Sequence, residues 1–148
     1  MTDTHAVPSE EDGRTTPETA PADAEPAAVP RFILYLEGEE LRHVTALLSR
    51  WVNHLLVPVY VKGHSSSSPW CSRWWLHDDA VAHLYGLWMA WLEMTDPGQG
   101  LCGPANWHRD YLAPLMGFLR DPSGPFAGCR PGTHRAQERP PIEDYPIS

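Results

Sequence analysis

Apolar residues recur every three or four positions in three stretches of this chain, separated by polar or proline- and glycine-rich segments. In the first, Leu41, Val44, Leu48, Trp51 and Leu55 share one face, flanked by Leu47, Val52 and Leu56. That pattern predicts a helix of about 18 residues. Glu37, Glu39 and Glu40 sit at its positive N-terminal end, and Pro58 is expected to end it, because the residue before a proline avoids helical geometry. The second stretch begins at Asp78 or Asp79, whose carboxylates can cap free N–H groups. It carries Val81, Leu84, Trp88, Trp91 and Leu92 and stops before the turn DPGQG at 96–100. Gly86 and Ala90 lie four apart on its other side, a spacing that lets another helix approach closely. The third opens at Gly103-Pro104, proline being tolerated in a first turn. Trp107, Tyr111, Leu115 and Phe118 or Leu119 form its apolar face, and Pro114 predicts a kink or break within it.

Between and around these helices the pattern is weaker. RFILYL at 31–36 reads as a short strand or as a tether packed on the domain, and VYVKGHSSSS as an exposed, flexible connection. The segment FAGCRPGTH after the third helix is loop that must fold back if Phe126 is to be buried. No repeat of 20–50 residues is present. The expected fold is all-α, a small three-helix domain over 31–135 with tryptophan-rich loops. Residues 1–30, rich in Pro, Ala, Thr and acids, have too little apolar surface to offset the entropy of ordering and predict a disordered leader. Residues 136–148, with Pro140 and Pro141, predict a second disordered tail.

Charge sharpens this division. Residues 1–30 carry seven acids against one base, 31–135 nine of each, and 136–148 three acids against one, which apportions the net charge of −8. The domain is therefore electrically balanced and lacks the basic footprint of a nucleic-acid binder. No stretch is long and apolar enough to span a membrane, and the first twenty residues do not read as a secretory signal. Three cysteines, an odd count, point to reduced thiols in a cytoplasm and not to a disulfide framework.

The chemistry-bearing residues crowd into PWCSRWWLH at 69–77. Seven tryptophans in a minimal domain are foremost core material, each burying roughly 200 Å². Trp51, Trp88 and Trp91 lie on helical faces and are expected in the core. Trp70, Arg73, Trp74 and Trp75 precede a helix, where they either plug one end of the bundle or form a protein-binding face, since Trp and Arg dominate binding hot spots. Cys71 and His77, then Cys102 and His108, share the spacing Cys-x5-His, and Cys129 and His134 form Cys-x4-His. Thiolate and imidazole suit zinc, and Cys71, His77, Cys129 and His134 form a candidate site. The spacing departs from the usual zinc signature of cysteines two to four residues apart, and buried thiols without metal are common. Cys71 activated by His77 or His108 is the enzymatic alternative. Asp78-Asp79 and Arg109-Asp110 read as a helix cap and an ion pair. GQGLCG is not a phosphate loop, for it lacks a following Lys-Ser/Thr.

LLVPVY, PWCSRWWLHDDAVAHLYGLWMAW, NWHRDYLAPLM and DPSGPFAGC resemble the DUF4913 family of actinobacteria and their phages and plasmids. The likeness covers about 32–135 and is most specific at Trp70, Cys71, Trp74, Trp75 and His77, with Gly124, Pro125, Phe126 and Cys129 also fitting. The resemblance brings no assigned activity with it. It implies a small domain encoded in mobile elements near transfer or phage genes. Where the family shows Trp-Trp-Arg-Asp-His, this chain has Trp107, His108, Arg109, Asp110 and Tyr111, so a site built on the third helix would lack that histidine. The expectation is a non-enzymatic accessory or adaptor protein acting through protein contacts. The alternatives are a zinc-stapled domain associated with nucleic acid, and a thiol-dependent enzyme.

Overall fold

The computed structural model describes residues 32–147, so the leader over 1–30 lies outside the described residues. Three helices make up the regular structure, and no strand forms among the described residues. Helix α1 spans 38–60, α2 is Asp78–Met94, and α3 spans 103–119. FILYL at 32–36 is the tether: a single 3-10 turn, Ile33–Tyr35, buries Ile33 and Leu36 in the core.

Pro58 does not end the first helix. α1 runs on to Tyr60 through a π turn over Val52–Leu56, and Val57, ahead of the proline, is helical at φ −64°, ψ −52°. α3 does the same with a π turn over Trp107–Leu112 just before Pro114. The Val57 N–H reaches back to the Val52 carbonyl, and that of Ala113 to the His108 carbonyl. A helical proline lacks its N–H and clashes with the carbonyl four residues back. In both helices that carbonyl lies inside the widened turn, which moves it aside.

The π turns also shift the buried face by one residue. In α1, burial passes from Trp51 and Val52 to Leu56, with Leu55 only partly buried. In α3 it passes from Trp107 to Leu112 and Leu119, leaving Tyr111 and Phe118 each 41% exposed. The α-helical spacing that placed Tyr111 on the inner face counts one residue too few at this turn, and of the two choices Phe118 and Leu119 it is Leu119 that is buried.

α2 is the central element, in contact with α1, α3 and the Ile33–Tyr35 turn. It buries Ala80, Val81, Leu84, Tyr85 and Leu87, while Leu92 is exposed. Trp88 and Trp91 are half-buried against the core. Trp51 stands between Trp91 and Trp107, ring centroids 5.8 and 6.4 Å away, and Trp107 Nε1–H donates to the Leu87 carbonyl at 3.1 Å. No helix approaches Gly86, which has nothing within 4 Å of where a Cβ would stand. The close approach occurs instead at Gly103, where a Cβ would overlap the Met94 carbonyl, so α3 begins hard against the end of α2.

The serine-rich connection closes on itself through the Ser65–Ser68 bridge and is held by Arg120, whose guanidinium donates to the carbonyls of Lys62, Gly63 and Ser68. Beyond α3 the chain does fold back, for Phe126 is fully buried.

Candidate metal centre

Two irregular segments meet beside α2. The first, 69–77, ends in a 3-10 turn, Trp74–Leu76, that buries Trp74 beneath the bundle. The second, 124–135, returns under it, turning at Gly124 and Gly128. Trp70 and His77 both pack edge-on against Phe126, at 5.0 and 5.2 Å between centroids. This aromatic contact brings together cysteine and histidine pairs that lie 52 to 63 residues apart in sequence.

The result is a cluster of four ligand-type side chains, Cys71, His77, Cys129 and His134, whose donor atoms all lie within 4.8 Å of one another. Cys71 Sγ is 3.5 Å from His134 Nδ1, and Cys129 Sγ is 3.5 Å from His77 Nε2. The two rings lie 4.6 Å apart. Cys71, His77 and Cys129 are buried, and His134 is half-buried. A tetrahedral centre with metal–sulfur bonds of about 2.3 Å and metal–nitrogen bonds of about 2.05 Å has sulfur–nitrogen edges of about 3.6 Å. The observed pairs match that edge. Both thiols are free.

Backbone N–H groups face both sulfurs. The Arg135 backbone N–H donates to Cys129 Sγ at 3.4 Å, and the Arg73 backbone N–H favours the Cys71 thiolate. Hydrogen bonds of this kind to a ligating sulfur orient and tune thiolate ligands. His64 Nε2–H donates to the Cys129 carbonyl at 3.0 Å and steadies the loop. Against this, burial foremost, and then the neighbouring Cys129, raise the Cys71 thiol from 9.0 to about 11. Burial first, and His134 second, lower His77 from its ordinary 6.5. Without a metal the pocket thus disfavours the Cys71 thiolate and the His77 imidazolium, and a bound cation would supply the charge that thiolate ligands need.

The family profile for a domain of unknown function, DUF4913, matches residues 46–146, more than half of the chain. The chain belongs to this family. The matched span contains all four cluster residues and runs past position 135. There, Gln137 donates to the Pro125 and Ala127 carbonyls, and Arg139 pairs with Asp78 at 3.3 Å. Neither a curated protein nor a solved structure matches this DUF4913 chain.

The other candidate residues are placed as follows. Cys102 is exposed and does not join His108. His108 donates through Nδ1 to the Pro104 carbonyl at 2.6 Å, leaving Nε2 to accept from the Tyr60 hydroxyl at 2.8 Å. Trp74 is buried, its Nε1–H donating to Asn53 Oδ1, so it supports a surface and does not present one. Trp70 is half-buried, whereas Arg73 and Trp75 are exposed. Arg109 and Asp110 form an exposed ion pair at 2.9 Å, which lowers the Asp110 carboxyl and raises the Arg109 guanidinium. Sequence spacing missed the backbone donors to sulfur and His64, which act through contacts that only the fold makes.

Proposed function

We propose that this DUF4913 domain is a zinc-stapled helical module that works by protein contact and not by catalysis. The observation that carries the reading is the pair of 3.5 Å sulfur–nitrogen edges within a Cys2His2 set of which three members are buried and His134 half-buried. Four protein ligands close the coordination shell, as in structural zinc sites, whereas a catalytic site keeps a position open for water or substrate. Two borderline-soft sulfurs and two imidazoles favour zinc over the oxygen-seeking calcium or magnesium.

In this reading the ion joins segment 69–77 to the C-terminal loop and holds the exposed end of that segment in place. Trp75 is 43% exposed and Leu76 50%. Trp75 shares a shallow groove with Leu41, Arg42, Thr45, Ala46 and Ser49 of α1, and Arg73 is exposed nearby in sequence. An aromatic anchor beside arginines is the composition of a protein-binding hot spot. The accessory role in a mobile element, implied by the family resemblance, and a reducing cytoplasm, suited to free thiol ligands, belong to the same proposal. No helix among the described residues is long and apolar enough to cross a membrane. A thiol nucleophile is disfavoured, since Cys71 is buried and its thiol is raised to about 11.

Elemental analysis of protein purified without added metal tests the reading. The expected result is close to one zinc per chain, falling below about 0.2 in C71S and C129S and unchanged in C102S. Wild-type protein that carries less than about 0.2 zinc, and takes up none on titration, overturns it.

A further inference from the structure

The loop that supplies Cys129 and His134 also walls a cleft of about 440 Å³, shared with the serine-rich connection between α1 and α2. Arg130 and Arg135 line this cleft together with Ser66 and His64, and no acidic residue does. The ion pairs among the described residues use Arg42, Arg109 and Arg139, so neither cleft arginine has a carboxylate partner there. Two guanidinium groups on one concave surface repel each other unless an anion joins them.

Arg130, Arg135 and Ser66 are exposed, and two contacts shape the cleft around them. Gly128 has φ +78°, and a Cβ there would come within 2.5 Å of Arg135 Cδ and 2.7 Å of its Nη1. Bare glycine backbone is therefore what allows the Arg135 side chain to lie where it does. The His64 bond to the Cys129 carbonyl fixes the opposite segment to the same loop. Pro69 and Pro131 add apolar wall.

We propose that this cleft binds a phosphate monoester. Arg130, Arg135 and the Ser66 hydroxyl take the phosphate oxygens, and the exposed Pro131 contacts the organic part. The guanidinium fork matches phosphate geometry and gives two parallel N–H···O bonds. The volume falls in the range of small-molecule sites, about 300–1,000 Å³, and exceeds what a bare phosphate fills. A polymeric phosphodiester is the weaker fit. Residues 31–135 carry nine bases against nine acids, so no extended basic track leads away from the cleft. The site shares its loop with the metal cluster, Cys129 lining the one and belonging to the other, but it does not rest on the ion being zinc.

Calorimetric titration of the full chain as purified tests this, with AMP, ribose 5-phosphate, inorganic phosphate, citrate and a short oligothymidylate as probes. At least one ester should bind with a Kd below about 1 mM and roughly tenfold tighter than inorganic phosphate or citrate. R130A and R135A should each weaken it at least about tenfold, and R135K should restore only part of the loss. S66E, which places a carboxylate in the cleft without replacing a metal ligand, should abolish binding with metal content and melting temperature unchanged. Three results overturn the proposal: no ester binding below about 10 mM, binding that survives S66E and R130A, or tighter binding of the oligonucleotide or citrate than of any ester. Failure of the zinc reading shows separately, in the metal content of the same samples.

Discussion

Replacing Cys129 with serine keeps the side chain's size but removes one of the two sulfurs from the cluster. The magnitude follows from what the cluster connects. His77 and Cys129 are 52 residues apart, and Cys71 and His134 are 63 apart. A cross-link closing a loop of that length lowers the entropy of the unfolded chain by an amount worth about 4 kcal/mol at 25 °C. For a domain of this size, that corresponds to a melting temperature lower by roughly 15 °C. Direct metal–ligand bonding adds to this figure, so it is the smaller bound. The assay is thermal unfolding followed by circular dichroism in reducing buffer, for wild type, C129S and C102S, each with zinc and with chelator. Wild type in chelator and C129S under both conditions should melt together, well below zinc-loaded wild type. C102S should track wild type, because Cys102 is exposed and outside the cluster. The reasoning is refuted if wild type melts within about 2 °C with and without chelator, or if C102S and C129S behave alike.

Three further outcomes are expected. Trp74→Ala empties a fully buried site and should cost about 3–5 kcal/mol in denaturant unfolding, whereas Trp75→Ala, at a 43% exposed position, should cost under about 1 kcal/mol. Equal losses would contradict the division of that segment into support and surface. Gly103→Ala forces α3 away from the Met94 carbonyl and should destabilise by about 1–3 kcal/mol, while Gly86→Ala, with open space around it, should be neutral or slightly stabilising. In chelator, stability should fall on both sides of neutral pH. His77 is lowered from 6.5, so its contribution is present above that pH and lost on acidification, as the unfolded chain takes up the proton first. Cys71 is raised from 9.0 to about 11, so its contribution is present below pH 9 and lost as the pH rises through that interval. A metal-free melting temperature that climbs between pH 7 and 5 would be the wrong sign.

The pattern of apolar positions was enough to place three helices, because burial of one face at a helical period is a local property of the chain. It also marked PWCSRWWLH and the later cysteine–histidine pair, since those residue types are costly to bury without a reason. Register was lost at Pro58 and Pro114. A proline reads locally as a stop, yet each helix continues by widening one turn, and that insertion moved the inner face from Tyr111 to Leu112 and from Leu55 to Leu56. The pairing of Cys71 with His134 and of Cys129 with His77 was equally beyond spacing. It depends on Phe126 returning beneath Trp70 and His77, a contact between segments more than 45 residues apart. Sequence thus determined which side chains carry the chemistry and which faces seek burial. Sequence had also named Cys71, His77, Cys129 and His134 as one candidate set; tertiary structure alone decided that they meet and in which pairs, because distances between remote donors are set by packing and not by any short-range rule.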